Sequence, residues 1–199
     1  MPVPFAQRVA AMARILKSSG VNGVVFNDVN ACGDNVELLR SAVLRNVTRN
    51  LGPIFRKYAL TPYFSACFDS PTILSNVTSD PLAAEAQAWW GAKADEVVSL
   101  MPGFGGWLVK ADSEGNGGPI AYNRTEADGA NLLARAIAPH GGIIMWRAFV
   151  YANGGAIGND ELVKQSFETF VPLDGEFDAN VVLQVRGGGP THTLTFTSR

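Results

Sequence analysis

Apolar and polar positions fall in blocks along this chain, and the period of each block marks an element. Phe5, Val9, Met12, Ala13 and Leu16 recur at helical spacing, and Gly20 ends the run. Residues 21–30 follow with a continuous apolar centre, Val24-Val25-Phe26, the pattern of a strand buried on both faces. Asn27, Asp28 and Asn30 gather at its C-terminal end. Residues 36–55 read as a helix, interrupted near its end by Gly52-Pro53. Residues 61–68 form a second apolar run. Residues 81–100 are helical, with Trp89 and Trp90 partly on the buried side. A third strand at 106–111 opens into the polar, glycine-rich loop 112–119. A helix at 126–137, a strand at 142–150, a helix at 160–170 and a strand at 180–185 complete the pattern.

Strands and helices thus alternate through short loops, which argues for a parallel sheet in an α/β fold. Two architectures satisfy that order: an open doubly wound sheet and a (β/α) barrel. A dinucleotide fold carries G-x-G-x-x-G after its first strand, and this first strand leads instead into Asn27-Asp28-Val29-Asn30. Gly115-Asn116-Gly117-Gly118-Pro119, after the third strand, lacks the Gly-Lys-Ser/Thr of a phosphate loop. Polar groups at strand ends, Asn30, Lys110 and Arg147, suit a barrel, whose active site lies on that face. A complete (β/α)8 TIM barrel takes eight units and ~250 residues. The expected fold is therefore α/β, a TIM barrel represented by about its first five βα units.

Charge narrows the partners. Sixteen Lys and Arg stand against eighteen Asp and Glu, which leaves no basic field for nucleic acid or anionic lipid. The apolar runs are far shorter than the ~20 residues of a membrane helix, so no membrane partner is expected. The first residues lack the charged start and long apolar run of a signal peptide. Two histidines exclude a multi-His metal site, and no metal is expected. Cys32 and Cys67 permit at most one disulfide; as free thiols they read as small apolar fillers.

The segment Lys110-Ala111-Asp112-Ser113-Glu114-Gly115 carries the most chemistry. A carboxyl at a strand end, walled by residues such as Trp107 and Trp146, acquires a raised pKa and serves as a general acid. The competing account is an ordinary turn or cap built on Asp112 and Ser113. Arg147 stands in an apolar strand, where its charge needs a partner. An internal ion pair supplies one; an anionic substrate held in a bidentate fork supplies another. Arg186, just past the fifth strand, adds a third cation, and Lys110, Arg147 and Arg186 together suit a carboxylate or phosphate. His140 and Asp174 read as loop or turn residues, and His192 lies in a polar tail without an evident partner. Asn46, Asn76 and Asn123 begin N-x-S/T sequons, a hint of a secreted ancestor.

Several long segments resemble one family. VNGVVFNDVNA, SACFDSP, TSDPLAAEAQAWW, GFGGWLVKADSEGNGGP, YNRTEADGANLLARAIAPHGGIIMWRAFVY and PLDGEFDANVVLQV run in order from Arg8 to Arg186 and are similar to the catalytic domain of family 67 α-glucuronidases. The resemblance implies a (β/α)8 barrel that hydrolyses, with inversion and without a cofactor, the α-1,2 bond between (4-O-methyl)glucuronic acid and xylose. The implied partners are glucuronoxylan-derived oligosaccharides, and the wording and sequons look most like secreted fungal members, which implies an extracellular parent enzyme.

Residue by residue, the resemblance makes Glu114 of KADSEG the general acid. It makes Lys110 and the Arg147 of WRAFVY contacts to the uronic acid, and Arg186 a replacement for a family lysine after the fifth strand. The family then continues through Ile-Asp-Phe, whose Asp belongs to the base side of the reaction. This chain reads Gly187-Gly188-Gly189-Pro190-Thr191, and no carboxylate follows. An inverting glycosidase needs acid and base ~6.5–9.5 Å apart. The expectation is a partial barrel over residues 1–186 and a divergent tail over 187–199, inactive for want of a base. The alternatives are a non-catalytic fragment or weak carbohydrate binder, and an unrelated α/β binding protein for an anion. No oligomeric state follows from the sequence.

Overall fold

The computed structural model describes residues 4–27, 36–113, 116–150 and 159–185. Five strands lie parallel in one sheet: β1 Gly23–Phe26, β2 Thr61–Ala66, β3 Gly106–Val109, β4 Ile143–Arg147 and β5 Val181–Gln184. Helix α1 Phe5–Ser18 precedes β1, and α2 Ser41–Tyr58 joins β1 to β2. The short α3 Ser70–Ser75 and the longer α4 Ala84–Leu100 join β2 to β3. Next, α5 Glu126–Ile137 leads to β4 and α6 Asn159–Phe170 to β5. The strand order is 1-2-3-4-5. A doubly wound sheet reverses at a switch point and so breaks sequential order. This sheet never reverses, as in a barrel. Among the described residues it is open, with β1 and β5 at its edges.

Parallel register sorts the side chains into two faces. Phe26, Phe64, Trp107, Ile144 and Val181 form one row, and Ala66, Val109, Trp146 and Leu183 the next on the same face. This face meets the helices. Phe26 sits edge-on to Phe55 of α2 at 5.4 Å between ring centroids, and Trp107 to Trp90 of α4 at 5.3 Å. The alternate rows, with Tyr63, Ser65, Leu108, Met145 and Val182, lie on the other face. In β4 burial alternates accordingly: Ile144 and Trp146 are buried, while Ile143, Met145 and Arg147 are half-buried.

The expected elements are present with ends shifted by a few residues, and two readings change. The first strand was expected to be buried on both faces, yet all four residues of β1 are half-buried. It is an edge strand, and helices cover one of its faces. The helix expected to falter at Gly52-Pro53 runs on to Tyr58. An internal proline costs roughly 3 kcal/mol. Leu51 and Phe55 pack with Val9 and Ala13 of α1 in a second apolar cluster, and that burial offsets the cost. Trp90 is fully buried, and Trp89 is half-buried with its indole N–H donated to Ser75 Oγ at 2.8 Å. Cys67, buried at the end of β2, is disulfide-bonded rather than a free apolar filler. Cys32 lies outside the described residues. No helix among the described residues is long and apolar enough to cross a membrane.

Candidate active site at the C-terminal ends of the strands

Val109 pairs with Trp146, so the next residues, Lys110 and Arg147, stand level at the ends of neighbouring strands. Arg147 pairs in turn with Gln184 of β5. Alternation puts all three side chains on the face away from the helices. Lys110 is buried, at 3% exposure, and Arg147 is half-buried. Two cations thus stand at adjacent strand ends with an amide beside them, and each of the three side chains has an interaction of its own within the protein.

Behind this row, on the helix side, three carboxyl groups approach one another. Thr125 caps α5, accepting from the Asp128 amide at 3.0 Å while Asp128 accepts the Thr125 amide at 2.9 Å. Asp128 thus serves the cap, and Glu126 at the helix start turns inward. There Glu126 Oε2 accepts the Trp146 Nε1 proton at 2.7 Å. Asp112, in the loop after β3, accepts the Ile120 amide at 3.1 Å and a hydrogen bond from Glu126. Asp69, at the start of α3, lies close enough to Asp112 to feel its charge. Burial, and then the Asp112 charge, push Glu126 from the usual 4.5 up to about 8. Burial also raises Asp112, against the hydrogen bonds from Ile120 and Glu126 that favour its anion. Asp69 rises through burial first and the Asp112 charge second. The loop backbone reaches this cluster because it is glycine: a methyl on Gly117 would strike the Asp69 carboxylate, and one on Gly118 that of Asp112.

Of the candidate residues, Lys110 and Arg147 are brought together. Glu114, Arg186 and His192 lie outside the described residues. Trp107 and Trp146 do not wall the face that carries Lys110 and Arg147. Both point to the helices, Trp107 against Trp90 and Phe104, and Trp146 against Phe68 and Glu126. The buried acid that Trp146 contacts is Glu126, which the sequence did not single out. A Glu in the first turn of a helix ordinarily reads as a solvated complement to the helix dipole. His140 bonds Asp95 at 2.8 Å on the helix layer, away from the strand ends. The sequon residues Asn46, Asn76 and Asn123 are exposed; Asn76 and Asn123 end short helices in left-handed conformation, and Asn46 lies within α2. Two surface hollows lie elsewhere. One of about 280 Å³ lies by Arg56 and Thr61 at the opposite end of the sheet, and one of about 330 Å³ by Gly91 and Arg135 between α4 and α5.

A parallel α/β sheet in unbroken sequential order is consistent with part of a (β/α) barrel, a fold whose active sites lie at the C-terminal ends of the strands. The chain belongs to the glycosyl hydrolase family 67 middle domain, whose family profile matches residues 3–195. It is 44% identical over 184 residues to a protein of Neosartorya fischeri named probable alpha-glucuronidase A, covering 91% of this chain and 21% of that protein. To the alpha-glucuronidase of Hypocrea jecorina it is 41% identical over 183 residues, with the same 91% and 21% coverage. To alpha-glucuronidase A of Emericella nidulans it is 41% identical over 186 residues, covering 91% and 22%. The chain therefore spans 21–22% of the length of these relatives.

Proposed function

We propose that this chain contributes the first five βα units of a (β/α)8 barrel in an extracellular α-glucuronidase acting on glucuronoxylan-derived oligosaccharides. The reaction is inverting hydrolysis of the α-1,2 bond between (4-O-methyl)glucuronic acid and xylose, with no cofactor. The observation that carries this reading is the register that sets Lys110 level with Arg147. A uronic acid differs from a neutral sugar by one carboxylate, and two cations at adjacent strand ends are the chemistry that selects it. Arg186 adds a third cation. Glu114, four residues beyond Lys110, protonates the leaving xylose oxygen. Where the family pattern places the Asp that activates water from the opposite side, this chain reads Gly187-Gly188-Gly189-Pro190-Thr191. These residues bind the uronic acid and, with that Asp replaced, do not turn it over.

Calorimetric titration with glucuronic acid and with an aldouronic oligosaccharide tests both halves. Arg147→Met and Lys110→Met each remove a charge-assisted hydrogen bond worth ~1.5–3 kcal/mol, so affinity falls ~10–100-fold. Xylo-oligosaccharides lacking the acid bind no better to wild type than to the variants. Equal binding of acidic and neutral sugars refutes the uronate reading. Release of glucuronic acid by the purified chain, abolished by Glu114→Gln, refutes the claim of inactivity.

A further inference from the structure

Glu126 is the one fully buried carboxyl among the described residues, at 1% exposure. Its Oε2 takes the Trp146 indole proton, while Oε1 meets no N–H or O–H donor. An ionised carboxylate in that place would hold its charge on one hydrogen bond, fewer than a buried charge needs. A carboxylic acid has no such problem, because Oε1–H can donate to Asp112. Asp112 needs holding for its own reason. Its φ is +47°, a left-handed conformation that Asp adopts where its short side chain finds hydrogen bonds close by. Ile120 N–H and Glu126 are its hydrogen-bond partners, and Gly118 presses against it.

We infer that Glu126 and Asp112 form one acid–carboxylate pair, sharing a single proton, that positions the loop leaving β3 and ties it to the end of β4 through Trp146. Glu126 is a positioning residue; it touches neither Lys110 nor Arg147, which lie on the opposite face of the sheet. The proton sits on Glu126 Oε1 and the negative charge on Asp112. When the proton leaves to solvent, two anions face each other, the hydrogen bond between them is gone, and the loop loses its anchor. The charges around the pair are accounted for element by element. Asp69, at the start of α3, adds a negative field, Arg124 is committed to Asp80, and Asp128 is committed to the Thr125 cap. Lys110 and Arg147 at the ends of β3 and β4 face away. A consequence for catalysis, that the pair also sets the loop carrying Glu114 two residues beyond Asp112, rests on the function proposed above; the pair itself does not.

Infrared difference spectra of the full chain, wild type minus Glu126→Gln, read the carbonyl stretch of a protonated carboxylic acid in dissolved or pelleted protein. A band at neutral pH that disappears with a midpoint at about 8, and is absent in Glu126→Gln, is expected. Hydrogen exchange of the segment 113–124, taken as the ratio of wild type to Glu126→Gln at each pH, reads the positioning. The ratio stays near one below the midpoint and climbs above it, because each pH unit cuts the protonated fraction about tenfold. Asp112→Asn removes the anion and moves the band's midpoint to lower pH, which supplies a second reading should Glu126→Gln fail to fold. A missing band, a band that survives in Glu126→Gln, or an exchange ratio indifferent to pH overturns the inference. Failure to bind glucuronic acid overturns the proposed function and leaves these readouts unaffected.

Discussion

On the helix side of the sheet Phe64, Trp107, Ile144 and Trp146 are wholly buried, and only the edge-strand residues Phe26, Val181 and Leu183 are half-buried; in the alternate rows Ser65 and Leu108 are buried in the middle strands, while Tyr63, Ile143, Met145 and Val182 keep part of their surface exposed. Both sets are mainly apolar, so composition does not separate them. Coverage does, because α2, α4 and α5 pack on one side. Burial contributes roughly 25 cal/mol per Å² of apolar surface, so stabilisation concentrates on the covered face. The other face ends in Lys110, Arg147 and Gln184, polar groups level with one another at the strand ends. One side of the same five strands therefore carries most of the buried apolar surface, and the other carries the proposed contacts to the uronic acid.

The largest test of that division is Trp107→Ala. Trp107 is fully buried between Trp90 and Phe104, and truncation of a buried aromatic costs ~3–5 kcal/mol. Denaturant unfolding at low protein concentration should show that loss, or the variant should leave the soluble fraction. A cost below about 1 kcal/mol would mean that the helix layer does not carry the stability, and the contrast between faces would collapse.

Much of the covered face was legible in the sequence. Helical spacing at Val9, Ala13 and Leu16, and the continuous runs around Phe64, Trp107 and Ile144, mark the elements because each buries a stripe or row, although Phe5 and Met12 of the same helical pattern stay exposed. The helix at 126–137 was placed to the residue. What the sequence hides is sidedness. A run such as Ile143-Ile144-Met145-Trp146 is apolar at every position, so period alone cannot show that alternate residues meet different surroundings. For the same reason the continuous run Val24-Val25-Phe26 reads as buried on both faces, whereas every residue of β1 is half-buried. Lys110 and Arg147 were legible as unusual charges in apolar strands, but their adjacency depends on a register that links residues far apart in sequence. Glu126 was not legible, because its role depends on Asp128 taking the cap and on Trp146 arriving from the next strand.

An intermediate effect follows from the acid pair on the covered side. Glu126 moves from 4.5 to about 8 on folding, so between those values the folded chain keeps a proton that the unfolded chain gives up. Its contribution is complete below about pH 4.5, falls as pH rises toward 8, and changes no further above that. Asp112 and Asp69, both raised, act in the same direction. Asp80, lowered by its hydrogen bonds from Arg124 and Leu82, acts in the opposite direction and loses its contribution on acidification. Unfolding free energy measured from pH 5 to 9 should therefore decline for wild type and decline less for Glu126→Gln. Parallel curves would remove the buried proton from the account of the covered face.

The smallest effect makes the finest comparison, because it uses two neighbours in one strand. Ile144 and Met145 share backbone, strand and solvent history, and differ in which face they point to. Ile144→Ala removes a wholly buried side chain and should cost ~2–5 kcal/mol. Met145→Ala removes a half-buried one on the side without helices. Its partial exposure means less transfer free energy to lose and no closed cavity left behind, so the cost should stay under ~2 kcal/mol. The measurement is the difference between the two midpoints under identical denaturant conditions. Equal costs would mean that the Met145 face is packed as tightly as the helix face, and Lys110 and Arg147 would then have to be read as charges of a closed core rather than as the edge of a binding surface.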